Sequence, residues 1–418
     1  MKRELFKTII IENQELVSKI KLTPRPFGFE PNGNYVFVGV RQAGKSYLLY
    51  QRIQQLLSQG HSKEEIVYIN FDDERLSLMT TDDFDLIIQA YLSTFDSTPI
   101  FFFDEIQNIP YWEKFARRLA NEKYRIYITG SNAKMLSRDI ATTLGGRFWC
   151  QYVYPYSFAE YLNAIGINLG KNWTYSHQQA EVVKTFDEYF YFGGFPELPD
   201  IIAKRAWLNN IFSKIFFSDI VVRNNVRNEN ALRLTIKRLA ESVKQPTSYN
   251  RLANLVKSTG IQVTTSTVID FIRHLKDACI IFSIENFASK FVEKESIKKH
   301  YFVDNGLLNI FLTDPNTSLL ENLCACHLHR KYGEELYYYN QNVEVDFYLP
   351  EQGIATQACY AMSDLTTAER EINALDKLNT RYPLKKAYII THDEESQITT
   401  PSGLEIKILP IWRWLLME

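Results

Sequence analysis

The 418-residue chain is poor in the features that would place it in a specialised class. Its five cysteines, Cys150, Cys279, Cys324, Cys326 and Cys359, are an odd number spread over a long sequence, which excludes a disulfide scaffold as the source of stability. No apolar run is long enough to span a bilayer, and the charged start Met1-Lys2-Arg3-Glu4 leaves no uncharged leader core. The expectation is therefore a protein of the reducing cytoplasm, with no membrane partner. Charge of one sign is lacking too: 47 Lys and Arg stand against 49 Asp and Glu, for a net charge of -2. A dedicated non-specific DNA binder is clearly basic, so bulk charge does not call for nucleic acid, although a local patch is enough to bind it. Internal repeats and low-complexity tracts are also missing. What remains, 45% hydrophobic and 23% charged residues, describes a globular chain of two or three domains.

Apolar runs alternate with helical periodicity in the first half. Tyr35 to Val38 is a short buried-strand pattern, and Leu48, Leu49, Ile53, Leu56 and Leu57 recur at helical spacing before Gly60. Between them lies Gly39-Val40-Arg41-Gln42-Ala43-Gly44-Lys45-Ser46, which fits G-x-x-x-x-G-K-[ST] in the strand–loop–helix setting that motif requires. Such a loop turns backbone N–H groups toward phosphate oxygens, and side chains at Gly39 and Gly44 would obstruct the approach. The nucleotide-contacting set is Gly39, Gln42, Ala43, Gly44, Lys45, Ser46 and Tyr47. Lys45 is expected to reach the β- and γ-phosphates of ATP, and the Ser46 hydroxyl to ligate Mg²⁺.

A second apolar run, Ile100 to Phe103, ends in Asp104-Glu105. Adjacent carboxylates at the end of a buried strand are costly unless solvated or bound. Asp104 is expected in the Mg²⁺ shell and Glu105 as the base that activates water. Ile66 to Phe71 is a further strand. The acids after it, Asp72-Asp73-Glu74, read either as a solvated strand end or as neighbours of the metal. A helix carrying Trp112, Phe115 and Leu119 leads to the strand Arg125 to Thr129 and to Gly130-Ser131-Asn132. Ser131 and Asn132 are both candidates to sense the γ-phosphate, with Asn132 preferred; the alternative is a plain turn. Arg147, after Gly145-Gly146, is a candidate to stabilise phosphoryl-transfer charge, in cis or across a subunit interface; the alternative is a surface arginine. Ser157-Phe158-Ala159-Glu160 is a capping box that opens a helix.

Together with Phe103-Asp104-Glu105-Ile106-Gln107, Thr129-Gly130-Ser131-Asn132, Gly145-Gly146-Arg147 and Gly193-Gly194-Phe195-Pro196-Glu197, these residues resemble the prokaryotic AAA-type ATP-binding proteins that carry a C-terminal domain of unknown function. The resemblance covers nearly the whole chain. It implies an α/β fold in which the strand bearing the catalytic glutamate is separated from the phosphate-loop strand by an inserted strand. It also implies ATP with Mg²⁺, and leaves the biological partner open.

The expected organisation is an AAA-type P-loop ATPase domain over 1–165, a helical lid over 166–228, a winged-helix-like domain over 229–300 and a restriction-endonuclease-like domain over 301–418. In the lid, Arg223 or Arg227 is either a second phosphate sensor or surface charge. The winged-helix pattern offers Arg273, His274 and Lys276 opposed by Asp270, and its basic wing Lys290 to His300 contains Glu293 and Glu295. DNA and a protein are therefore both open as partners, and oligomerisation is open as well. In the last part Glu321 is expected to open a helix, and Asp346 to lie on the second strand of a hairpin. Where a nuclease of that kind needs a second carboxylate and a lysine, the chain has Gln357-Ala358-Cys359. The reading is a non-cleaving scaffold. Cys324, Cys326, His327 and His329 point in several directions on a helix and do not suit zinc. Three functions follow: an ATP-hydrolysing switch coupled to a partner through the C-terminal domains, a DNA-binding ATPase, or an interaction module or defence effector.

Overall fold

A computed structural model describes residues 2–136 and 138–417, the side chains of residues 136, 138, 139 and 141 excepted. Contacts divide the chain into one unit formed by Met1–Tyr154 with Asp277–Cys279, and a second formed by Pro155–Lys276 with Ile280–Glu418.

In the first unit, α1 (Arg3–Val17), β1 (Asn34–Val38), α2 (Lys45–Ser58), β2 (Ile66–Asn70), α3 (Phe84–Leu92), β3 (Ile100–Asp104), α4 (Trp112–Asn121), β4 (Arg125–Gly130) and β5 (Phe148–Tyr152) follow in order. The five strands are all parallel, in the order β2-β3-β4-β1-β5. β4 thus lies between the phosphate-loop strand and the strand that ends in Asp104, as the resemblance implied. Strands covered on both faces read as continuous apolar runs rather than alternating ones. Every residue of β3 is accordingly buried. Trp112, Phe115 and Leu119 form the buried stripe of α4. The edge strand β2 is protected by α1, whose Asn13 and Gln14 amides donate to the carbonyls of Tyr68 and Ile66, each over 2.9 Å.

The second unit holds a nine-stranded sheet built from β6 (Thr247–Ser248), β7 (Ile281–Asn286), β8 (Ile297–Phe302), β9 (Tyr337–Asn340), β10 (Glu344–Leu349), β11 (Ile354–Ala358), β12 (Lys386–Thr391), β13 (Ser396–Thr399) and β14 (Glu405–Pro410). Their order is β13-β14-β12-β11-β10-β9-β7-β8-β6. Parallel pairing of β7 with β9 makes one sheet run through residue 300. Helices Glu229–Glu241, Tyr249–Lys257 and Thr265–Asp277 precede β7. The capping box at Ser157 forms with both arms: Ser157 N–H donates to Glu160 Oε2 over 2.7 Å, and Glu160 N–H donates to Ser157 Oγ over 3.2 Å.

One local expectation is corrected: helix Asn316–Tyr332 starts five residues before Glu321, so Glu321 is an interior helix residue and is buried. Upstream, helix Lys204–Lys214 passes into a π-helix over Ile215–Val222. The Gly193-Gly194 segment has a physical explanation. Gly193 has φ +79°, and a Cβ there would lie 2.0 Å from Asp304 Oδ1. The buried Asp304 carboxylate accepts the N–H groups of Gly194 and Gly306, each over 2.8 Å, so glycine is the residue that lets it dock.

Candidate functional site

The first unit gathers its polar residues where β1, β3 and β4 end, the edge of an open parallel sheet where ligands bind. β1 leads directly into the loop 39–44. A Cβ on Gly39 would lie 2.1 Å from the Val153 carbonyl oxygen, so only glycine fits. Gln42 and Gly44 take φ of 61° and 91°, the turn that brings the chain into α2. Ala43 N–H closes the loop onto the Val40 carbonyl over 3.2 Å. Arg25 braces it from outside, donating to the carbonyls of Ala43 over 3.2 Å and Tyr154 over 3.1 Å. The first N–H groups of α2 have no intrahelical acceptors, which makes its start suited to an anion.

Lys45 is buried at this start. Its Nζ donates to the carbonyls of Gly39 and Val40, both at 3.1 Å, and lies 3.7 Å from Glu105 Oε1. Glu105 is held at φ 52°, with its N–H donating to Thr129 Oγ1 over 3.0 Å. Burial pushes its carboxyl up, but Lys45, the Gln107 amide and Arg41 outweigh burial and hold it below the usual carboxylate range. Asp104 is 2% exposed and is hydrogen-bonded by Ser46, Thr129 and Tyr68, the last over 2.7 Å. Its carboxyl is raised by burial and by the neighbouring Glu105 charge. Tyr50 lies 3.0 Å from the Tyr68 hydroxyl, whose own proton goes to Asp104.

Asp104 is buried, the adjacent Glu105 pairs with the Lys45 ammonium, and Ser46, Thr129 and Tyr68 bring hydroxyl oxygens to the Asp104 carboxylate. That set fits Mg²⁺, with Ser46 and Asp104 as the residues able to hold it. Among the described residues no group of three or more His, Cys, Asp or Glu is arranged to hold a metal ion by itself.

Not every expected residue joins this cluster. Gly39, Gln42, Ala43, Gly44, Lys45 and Ser46 form the loop and helix start, and Asp104 and Glu105 adjoin them. Tyr47 is 54% exposed and packs edge-on against Tyr50 at 5.6 Å. Asn132 is engaged locally: its Oδ1 accepts the Lys134 N–H over 2.9 Å. Buried Ser131 is the residue that reaches the site: its hydroxyl helps to hold the Glu105 carboxyl low and meets Gln107 Nε2 at 3.3 Å. Arg147 is exposed in the turn after Gly145 and Gly146. Asp72 pairs with Arg41 at 3.8 Å and accepts from Asn108 over 2.7 Å, while Asp73 caps the turn at Arg75. In the second unit Arg223 pairs with Asp219 of its own helix at 3.1 Å.

Sequence reasoning gave no role to Tyr68, Thr129 or Gln107. Thr129 and Gln107 belong to the segments Thr129-Gly130-Ser131-Asn132 and Phe103-Asp104-Glu105-Ile106-Gln107, but nothing in the pattern shows what they touch. Tyr68 carried no signal beyond its place on a strand.

The second unit has its own polar cleft, of about 970 Å³, lined by Glu321, Glu344, Asp346, Gln357, Cys359 and Arg370 among others. At its base the fully buried Lys299 of β8 places Nζ 3.2 Å from Glu321, 3.1 Å from Glu344 and 2.9 Å from Asp346. Burial alone would lower its pKa; Asp346 and Glu321 outweigh burial and raise it well above the usual lysine range. Burial and Asp346 push Glu321 up to about 7. Gln357 ties down the strand pair, accepting the Asp346 N–H over 2.7 Å and donating to the Glu344 carbonyl over 3.0 Å. A lysine does face these carboxylates, but it comes from β8 and not from position 359. The sequence hid it within the basic wing segment. Cys324 and Cys326 are buried in helix Asn316–Tyr332, where Cys326 Sγ contacts the Phe302 carbonyl at 3.1 Å.

Residues 32–162 match the AAA domain family, and residues 183–318 match a domain of unknown function, DUF8612. The chain is 34% identical to an uncharacterized protein of Methanocaldococcus jannaschii, over 99% of this chain and 96% of that one. It is 32% identical to an uncharacterized protein of Haemophilus influenzae, over 65% of this chain and 67% of that one. Among solved structures, a Walker-type ATPase of Pyrococcus abyssi is similar at 12% identity and a TM-score of 0.40, covering 74% of this chain and 95% of that one.

Proposed function

The chain belongs to one family with the Methanocaldococcus jannaschii protein, and on that premise we propose that it is an ATPase that binds and hydrolyses ATP with Mg²⁺ and passes its nucleotide state to a protein partner. The observation that carries the proposal is the placement of Lys45 3.7 Å from Glu105, beside an Asp104 that Ser46 hydrogen-bonds. Binding alone needs a cradle and a cation site. A carboxylate beyond those, held ionised at the phosphate end, is what a hydrolase adds.

Each residue has a definable task. Gly39 and Gly44 let the backbone approach phosphate, and the start of α2 presents N–H groups to it. Lys45 exchanges the Gly39 and Val40 carbonyls for phosphate oxygens. Ser46 and Asp104 hold Mg²⁺, which when bound neutralises phosphate charge. Tyr68 and Thr129 fix the Asp104 carboxylate between them. Glu105, released from Lys45, orients the attacking water and accepts its proton. The purified protein should release phosphate from ATP with Mg²⁺ and lose that activity in chelator. Tight nucleotide binding with no turnover under either condition would reduce the proposal to a binding module.

For the partner, we favour a protein over DNA. Arg273 on the helix before β7 is paired with Asp270 at 2.7 Å, and Lys298 is held by Glu285 at 2.8 Å and by Glu295. The segment joining β7 to β8 instead exposes Phe291 and Val292, 77% and 75% accessible. The succession of three helices and paired strands supports a winged-helix reading of 229–300, here used for protein contact. Salt-dependent DNA binding that survives neutral substitution of Phe291 and Val292 would overturn this preference.

A further inference from the structure

We infer that Gln107 is the positioning residue of the ATPase site, holding the Glu105 carboxylate where it can act on water, and that Thr129-Gly130-Ser131 is built to seat it. The inference rests on the proposed hydrolysis and names the part of the machinery that hydrolysis needs beyond its base.

Gln107 follows Glu105 by two residues, in the short 3₁₀ turn Ile106–Asn108. Its Nε2 donates to Glu105 Oε2 over 2.5 Å and contacts Ser131 Oγ at 3.3 Å. One carboxylate oxygen of Glu105 thus faces Lys45, and the other is fixed by Gln107. When phosphate draws Lys45 away, the Gln107 contact remains and keeps the carboxylate from turning. The carboxamide can sit there because residue 130 has no side chain. A Cβ on Gly130 would lie 2.3 Å from Gln107 Oε1 and 2.0 Å from Met135 Sδ. Gln107 Oε1 is itself buried with no hydrogen-bond partner among the described residues, an uncompensated cost that its Nε2 contacts have to outweigh. The neighbours of Gly130 serve the same pair of acids. Thr129 bonds the Asp104 carboxylate and accepts the Glu105 N–H, and Ser131 meets Gln107.

The role belongs to catalysis and not to nucleotide binding, since Gln107 has no contact with the phosphate loop among its described hydrogen bonds. Two variants test it. Gln107→Leu keeps bulk and removes the donor. Gly130→Ala keeps Gln107 but takes its space; the three atoms its Cβ meets belong to the flexible side chains of Met135 and Gln107, so the fold can absorb it. Affinity for a fluorescent non-hydrolysable ATP analogue with Mg²⁺ is measured beside kcat. Both variants should keep the analogue Kd within about threefold of the unaltered protein and lose about tenfold or more in kcat, the signature of an interaction made for the reaction step. An unchanged kcat in Gln107→Leu, or a fall in affinity as large as the fall in kcat, overturns the assignment. Glu105→Gln, run alongside, separates the two levels. If it retains full turnover, the hydrolytic reading fails. If it abolishes turnover while Gln107→Leu does not lower it, only the role of Gln107 fails.

Discussion

Lys45 Nζ stands 3.7 Å from Glu105 Oε1 at the end of the parallel sheet, while also donating to two carbonyls of its own loop. The phosphate-seeking cation and the expected base therefore satisfy each other before nucleotide arrives. On the proposed function, nucleotide would have to break this pair, and breaking it would free the base, so that substrate capture and activation of the site would be one event.

Replacing Lys45 by Met should act on both counts. Nucleotide affinity should fall by about a hundredfold or more, the loss of a buried charge-assisted contact of ~3 kcal/mol. The nucleotide-free protein should also melt at lower temperature, because Glu105, only 14% exposed, is left without its cation. Equal affinity by calorimetry, or an unchanged melting temperature, would contradict this.

Asp104 is expected to matter for metal more than for phosphate. Asp104→Asn should raise the Mg²⁺ concentration for half-maximal turnover about tenfold or more, while an ATP analogue still binds in chelator. Tyr68→Phe, which removes one of the hydrogen bonds on that carboxylate, should shift the same curve in the same direction by less. A Mg²⁺ dependence insensitive to both would place the metal elsewhere.

Legibility differed along the chain for physical reasons. Backbone demands leave sequence marks, so Gly39 and Gly44 announced the loop, and the apolar run before Asp104-Glu105 announced β3. Contacts between strands distant in sequence leave none. Tyr68 reaches Asp104 from β2, and Lys299 reaches Asp346 from β8, and no local periodicity encodes either meeting. Ser131 and Asn132 follow the same strand and the pattern alone does not separate them; in the fold the Asn132 side chain accepts the Lys134 N–H in a local turn, a common use of asparagine, while Ser131 meets Gln107. Helix Asn316–Tyr332 starts five residues before Glu321, which is an interior residue facing Lys299, a partner distant in sequence.

In the second unit Lys299→Met should destabilise by about 3–5 kcal/mol in denaturant unfolding, since it strands Glu321 and Asp346 in a buried site. The unaltered protein should leave DNA uncut with Mg²⁺ or Mn²⁺. Cleavage that Asp346→Asn abolishes would restore a nuclease reading.

Gly193→Ala should cost about 2 kcal/mol or more, because the residue has φ +79° and its Cβ would strike the Asp304 carboxylate. A variant as stable as the parent would remove the proposed reason for that glycine.

Buried histidines of the second unit set an acid limit. His300 is lowered by burial and by Lys276 to about 3, and His327 and His329 are lowered to about 4 by burial first. Groups with depressed folded values contribute stability above their unfolded value, near pH 6.5, and lose it as pH falls toward the folded value. Asp304 and Glu321, raised to about 6 and about 7, act in the opposite sense over the same range. His300→Asn keeps a polar group for Ser283, which bonds Nδ1 at 2.8 Å, and removes the titration. The drop in melting temperature between pH 7.5 and pH 5 should therefore be smaller in His300→Asn than in the parent. An equal or larger drop would contradict the buried neutral state.

The central claim, that this site hydrolyses ATP and does not merely hold it, is tested most directly by Glu105→Gln. Phosphate release and the Kd for ATP are measured side por side in the presence of Mg²⁺. The account predicts a loss of turnover of about a hundredfold or more with ATP affinity retained or tightened. Turnover equal to that of the unaltered protein would contradict it.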